Sequence, residues 1–145
     1  MTHDFFMKEA LKQAKIAFEK DEVPVGAVLV VNGQIVSKGY NQVELLHDST
    51  AHAEMLALTG AYANFGAKYI PEATLYVTVE PCLMCAGALR WGKIKTIVFG
   101  AYDEKNGASH FCEVNPYHEK AEVIGGILEQ DCAQLMKDFF KGKRK

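Results

Sequence analysis

The sequence predicts an α/β domain, a mixed five-stranded sheet covered by helices on both faces. Two β-rich runs, Val25 to Val31 and Gln34 to Tyr40, flank Asn32-Gly33, the pair that best tolerates the positive φ angles of a tight type I′ turn. Beyond that hairpin, strand-like and helix-like segments alternate, the pattern of a layered α/β fold. The chain has 145 residues, enough for one domain spanning 1–145 that buries about two-thirds of its unfolded surface.

Each element follows from local chemistry. The first is a helix from about Asp4 to Lys20, with Asp4 as N-cap and Phe6, Ala10, Leu11, Ala14, Ala17 and Phe18 at helical spacing. After the hairpin, a polar loop leads to a second helix from about Ala51. Ser49 or Thr50 is its candidate cap, and Glu54 falls in its first turn. Thr74 to Val79 is β-branched and aromatic without a breaker, which suits a central strand. Pro81 then opens a third helix, and Cys82 and Cys85, three apart, lie on one face of it. Lys95 to Gly100 reads as a further apolar strand and Ala121 to Ile124 as a shorter one. The final helix runs from about Leu128 to Phe140, with Leu128, Leu135, Phe139 and Phe140 as its core face.

Composition narrows the function classes. The formal net charge is −2, which argues against a generally basic nucleic-acid surface, although Lys141-Gly142-Lys143-Arg144-Lys145 concentrates positive charge at the C-terminus. No apolar run approaches the ~20 residues of a membrane span, and no charged start with an apolar stretch precedes the first helix. A cytoplasmic, reducing setting is expected, in which the four cysteines stay unpaired. Cys112 and Cys132 stand alone and read as buried apolar thiols.

The remaining pair carries chemistry. His52-Ala53-Glu54 and Pro81-Cys82-Leu83-Met84-Cys85 each sit at a helix start, where α/β sheets usually bind ligands. One imidazole and two thiolates match zinc, and a missing fourth protein ligand leaves room for water. The metal would lower that water's pKa toward ~7, and Glu54, two residues from His52, is placed to carry its proton. The partial positive charge of the helix N-termini favours Cys82 and Cys85 as thiolates. Either half alone is ambiguous: His-x-Glu is common, and Cys-x-x-Cys also serves thiol–disulfide exchange or structural zinc. Together, in this order, they match the established signature of zinc-dependent base deaminases.

Longer blocks carry a resemblance. They are Asp21-Glu22-Val23-Pro24-Val25-Gly26-Ala27-Val28, Thr50-Ala51-His52-Ala53-Glu54-Met55, the run from Thr74 to Ala88, Val98-Phe99-Gly100-Ala101 and Asp138-Phe139-Phe140. With these the chain resembles the cytidine-deaminase-like superfamily and, within it, the bacterial tRNA-specific adenosine deaminases. The resemblance implies a three-layer α/β/α domain, one catalytic zinc ion per subunit and a homodimer. It also implies a tRNA anticodon stem-loop as partner, whose wobble adenosine is hydrolysed to inosine with release of ammonia. In that picture a zinc-bound hydroxide attacks C6 while Glu54 moves protons, and His52, Cys82 and Cys85 hold the metal. Asn41 would hydrogen-bond the nucleoside and Val23 would form a pocket wall. The Ala53 N–H would meet the base or the attacking oxygen, the Pro81 carbonyl the amino group, and Asp103 the sugar or a flanking nucleotide. A target atom inside a base requires the nucleotide to be splayed out, which an anticodon loop permits.

Several roles stay open at the level of sequence. Asn41 could cap or turn the hairpin exit, Val23 could be core, and Asp103 could belong to a solvated turn. Arg90, Lys93 and Lys95 could bind phosphate or simply lie on the surface. Trp91 and Tyr102 could stack on bases, pack in the core or form an interface. Ser49 stands where the family pattern has proline, and the segment Gly107 to His118 is shorter than usual and lacks its Asn-His pair. His110 or His118 could supply a contact there. The competing activities are deamination of a free base or nucleoside, and thiol–disulfide or structural-zinc chemistry at Cys82 and Cys85.

Overall fold

A computed structural model describes residues 2–111 and 113–143. The sheet has five strands in the order β2-β1-β3-β4-β5, with β1 Gly26–Val31, β2 Gln34–Tyr40, β3 Thr74–Val79, β4 Thr96–Ala101 and β5 Glu122–Ile124. β1 is antiparallel to β2 and β3, whereas β3, β4 and β5 are parallel. The sheet is therefore mixed, and β3 is its central strand. At the hairpin, Asn32 and Gly33 take φ angles of 52° and 75°, the pair of positive values that a type I′ turn needs.

The alternation of side chains along the strands divides the core. Ala27, Leu29, Leu75, Val77, Ile97 and Phe99 pack with α3 (Ala53–Phe65) and α4 (Leu83–Trp91). Val28, Val30, Tyr76 and Val98 face the opposite way, against α1 (His3–Glu19) and Cys132 of α5 (Glu129–Lys143). The result is the three-layer α/β/α arrangement expected.

Several boundaries differ from the sequence expectation, each for a local reason. The Thr2 hydroxyl accepts from the Phe5 N–H at 3.2 Å, so Thr2, not Asp4, caps α1 and the helix begins one residue sooner. Phe18 lies at the rim of its helix, edge-on to Phe139, and Phe140 is exposed while Phe139 is buried. Neither Ser49 nor Thr50 caps α3. The Thr50 hydroxyl and N–H both donate to Asp48 Oδ1, at 2.7 and 2.8 Å, and the N-cap position falls to His52. Likewise α4 does not open at Pro81, because Cys82 is extended and bridged to Gly107, which delays the helix to Leu83. A short helix, α2 (Val43–Leu46), and a 3₁₀ turn, Ala108–His110, occupy stretches read as loop. Cys132 is buried as expected; Cys112, Arg144 and Lys145 lie outside the described residues.

β2 and β3 run in the same direction, so the chain leaves both at one end of the sheet. The helices that follow, α3 and α4, accordingly start at that end, as does the loop after β4. Close packing holds α3 there: an added Cβ at Gly39 of β2 would collide with the Ala53 carbonyl and lie 2.8 Å from the Ala57 nitrogen. Gly39→Ala is expected to cost about 2 kcal/mol and lower Tm by about 6 °C. Thermal unfolding checks this, and an unchanged Tm would contradict the close contact of α3 with β2.

Candidate active site

The two halves of the sequence motif meet where α3 and α4 begin. His52 is the N-cap of α3 and Cys82 the N-cap of α4, and neither side chain caps its own helix. Both turn toward Cys85, in the first turn of α4. The ligand atoms of His52, Cys82 and Cys85 all lie within 4.8 Å of one another. His52 Nδ1 is 3.6 Å from Cys82 Sγ and 3.5 Å from Cys85 Sγ. Zinc–sulfur and zinc–nitrogen bonds of ordinary length at a tetrahedral angle place those atoms about 3.6 Å apart, so the spacing fits a zinc ion.

Without a metal, the cluster shares its protons. Hydrogen bonds, first from Cys85 and then from His52, hold the Cys82 thiol down to about 4. Cys85, as the donor to Cys82 and a buried group, is pushed far up. The hydrogen bond to Cys82 raises His52 against the opposing effect of burial. The hydrogen bond between the two sulfurs favours one thiolate in the pair, and a metal would have to displace the proton that the other thiol retains.

Glu54 stands beside this cluster in the first turn of α3, only 3% exposed. Burial pushes its carboxyl up to about 7, with the neighbouring Cys82 adding to the rise, while the residue's own backbone N–H opposes it. A group so poised can both take and give a proton near neutral pH.

Glu54, His52 and Cys82 open into a cleft of about 1690 Å³ that Val23, Asn41 and Asp103 also line. Asn41 Oδ1 accepts from the Ala53 N–H at 3.0 Å. Since that bond fixes the amide's orientation, the donor side of Asn41 is left to meet a ligand. It also means that the Ala53 N–H already has a partner, and that Asn41 does at long range the capping work expected of Ser49 or Thr50. The buried Pro81 carbonyl accepts from the Ala108 N–H at 2.9 Å. Asp103 is half-buried, and its Oδ1 accepts from the Lys105 and Asn106 N–H groups at 3.0 and 2.9 Å. It therefore both builds a turn and borders the cleft.

Other candidates divide. Tyr102 lines the cleft and packs edge-on to Phe99. Trp91 is 80% exposed, which removes core packing as its role. Arg90 donates to the Tyr117 carbonyl at 2.6 Å and so anchors the short segment, and the Lys93 ammonium sits 4.4 Å from the Tyr69 ring centre. His110 is exposed, and His118 Nδ1 accepts from the Lys120 N–H at 3.3 Å.

Sequence reasoning misses two buried carboxyls that shape this cleft, Glu22 and Glu80. Glu22 accepts from the Glu44 and Leu45 N–H groups at 3.0 and 2.7 Å, which fixes the N-terminus of α2 along one wall. Its only sequence signal is a carboxyl next to the apolar run Val23-Pro24-Val25, and that signal does not identify the donors.

A mixed sheet with this strand order, and a His-Cys-Cys cluster at two helix starts beside a buried glutamate, define the cytidine-deaminase-like class. The profile of the MafB19-like deaminase family matches residues 1–144. The tRNA-specific adenosine deaminase of Bacillus subtilis (strain 168) is 45% identical over 150 residues, covering 100% of this chain and 93% of its own. A solved structure from work on A-to-I editing by tRNA:A34 deaminases at the wobble position of transfer RNA superposes with a TM-score of 0.85. Its identity is 39%, covering 90% of this chain and 98% of that one. The guanine deaminase of Bacillus subtilis is similar over less of the chain, with a TM-score of 0.67, 36% identity, and coverage of 70% here and 66% there. The chain belongs to the tRNA-specific adenosine deaminases, a family of hydrolytic enzymes.

Proposed function

We propose that the protein converts adenosine to inosine at the wobble position of a tRNA anticodon loop, an RNA-editing step of tRNA processing. The observation that carries this is the Glu54 carboxyl, buried in the same cleft as the three-ligand cluster. Its spacing fits zinc, held by His52, Cys82 and Cys85. When bound, zinc supplies the Lewis acidity that brings a water's pKa toward ~7. Glu54 would take one proton from the attacking water and give it to the ring nitrogen, then carry the proton of the added hydroxyl to the departing amine, so that the C6 carbonyl forms as ammonia leaves. Asn41, through its free amide donors, orients the nucleoside, and Val23 forms part of the pocket wall. The Ala53 N–H and Pro81 carbonyl reach the base and its amino group only by sharing or exchanging their present partners. Asp103 borders the sugar or a flanking nucleotide.

The substrate class is supported by the names and full-length identity of the relatives. The open form of the cleft is compatible with it. The cleft is open and extends from Glu54 and Cys82 out to the loop after β4 and to α5, which leaves room for a nucleotide that enters with its loop. Residues 1–145 act in this reading as one domain, in the cytoplasm. The enzyme works as a homodimer, which accords with the exposure of Leu83, Met84 and Trp91 on α4. No described helix is long and apolar enough to cross a membrane.

A second activity, deamination of a free base, has one observation in its favour: the likeness to a guanine deaminase over 70% of the chain. A panel of free bases, nucleosides and an adenosine-containing anticodon stem-loop separates the two. Turnover of the stem-loop alone is expected; turnover of a free base alone would replace the tRNA assignment with the second one.

A further inference from the structure

We propose that Glu80 is a positioning residue: its buried carboxyl fastens the loop after β4 to the start of α4 and so fixes the cleft wall that flanks the reacting nucleotide. The proposal rests on the tRNA deamination reading above. Glu80 follows the last residue of the central strand, and its N–H donates to the Ala101 carbonyl at 2.8 Å; it is 5% exposed. Its two oxygens are divided between the two ends of one loop. Oε1 accepts from the Asp103 N–H at 3.1 Å. Oε2 accepts from the Ser109 hydroxyl at 2.6 Å and from the Ser109 N–H at 3.4 Å.

Three further features close the same seam. The Ala108 N–H donates to the Pro81 carbonyl at 2.9 Å, and Gly107 bridges Cys82, a residue of the cluster. Gly107 has no room for a side chain, since a Cβ there would collide with the Glu80 carboxyl. Its φ of −61° is ordinary, so close approach, not backbone conformation, is what calls for glycine. Between the two tied ends, Asp103, Glu104, Lys105 and Asn106 line the cleft, with Phe111 just beyond.

A carboxyl is the group this seam requires. Two of its partners are backbone N–H groups, which can only donate, and they lie on two sides. Glutamine offers one oxygen for those two N–H groups: with its oxygen kept on Asp103, the Ser109 hydroxyl can turn to accept from the amide but the Ser109 N–H loses its acceptor, while an apolar residue would leave both N–H groups without partners. Glu80 itself is engaged with the loop and not with the His-Cys-Cys cluster, so its effect on catalysis passes through the wall.

The test uses the zinc-loaded enzyme and an anticodon stem-loop, with Glu80→Gln and Ser109→Ala as variants. Glu80→Gln is expected to raise KM about tenfold and Ser109→Ala about threefold, with kcat within about threefold of wild type and zinc content unchanged. In hydrogen exchange without substrate, the Asp103 and Ser109 amides of Glu80→Gln should exchange about tenfold faster. KM within twofold of wild type in both variants, or a loss confined to kcat, would overturn the proposal. If Glu80→Gln does not fold, Ser109→Ala at its exposed site decides alone, and an unchanged KM counts against the role. If the wild-type enzyme leaves the stem-loop untouched, the tRNA reading fails. The exchange result still stands by itself, and unchanged amide protection refutes the fastening of the loop.

Discussion

Glu54→Gln is expected to lower kcat on an anticodon stem-loop about 10³-fold while the protein still binds its zinc. The carboxyl is in the cleft beside the cluster but is not one of its three ligand groups. Glutamine keeps its size and removes only its ability to exchange a proton. Steady-state kinetics with parallel metal analysis checks this, and a loss of less than tenfold would remove Glu54 as the proton carrier. The metal-free protein offers a second readout. Burial raises the folded-state value from 4.5 to about 7, so the folded protein prefers the protonated carboxyl. Stability is lost as pH rises through that window and stays lower above it. Metal-free Glu54→Gln should therefore exceed metal-free wild type in urea stability at pH 8 and match it at pH 4.

Loss of a ligand should be as severe. Cys85→Ser is expected to abolish stoichiometric zinc and lower turnover at least about 10³-fold, and a chelator should inactivate the wild-type enzyme until zinc is restored. The protonation pattern gives the dependence a direction. Because burial and the hydrogen bond to Cys82 push Cys85 far up, zinc must displace a thiol proton from the pair, and affinity should fall as pH is lowered. Metal analysis after dialysis at several pH values tests this. If Cys82→Ser abolished activity while Glu54→Gln left it intact, thiol chemistry at the Cys-x-x-Cys pair would take the place of hydrolysis.

What was legible in the sequence was what local chemistry controls. Asn32-Gly33 specifies its hairpin because the turn's φ angles are a property of those two residues. The nearly continuous apolar runs of β1, β3 and β4 specify a sheet buried on both faces, and the motif spacing picks out His52, Cys82 and Cys85, which the structure brings within one metal-sized cluster. What was not legible depends on partners distant in sequence. The cap of α3 comes from Asn41, 12 positions before the Ala53 N–H that it accepts, because Asp48 has already engaged Thr50. The start of α4 is set by Gly107, which draws Cys82 into a bridge. Glu22 and Glu80 look like ordinary charged residues at the ends of apolar runs, and only the fold reveals which buried N–H groups need them.

The most direct test of the central claim is to incubate the zinc-loaded enzyme with an adenosine-containing anticodon stem-loop in heavy-oxygen water and analyse the nucleosides by mass spectrometry. The expected result is inosine at the wobble position carrying one solvent oxygen at C6, with ammonia released and free adenosine unchanged. A stem-loop recovered with its adenosine intact, under conditions where a free base is deaminated, would contradict it.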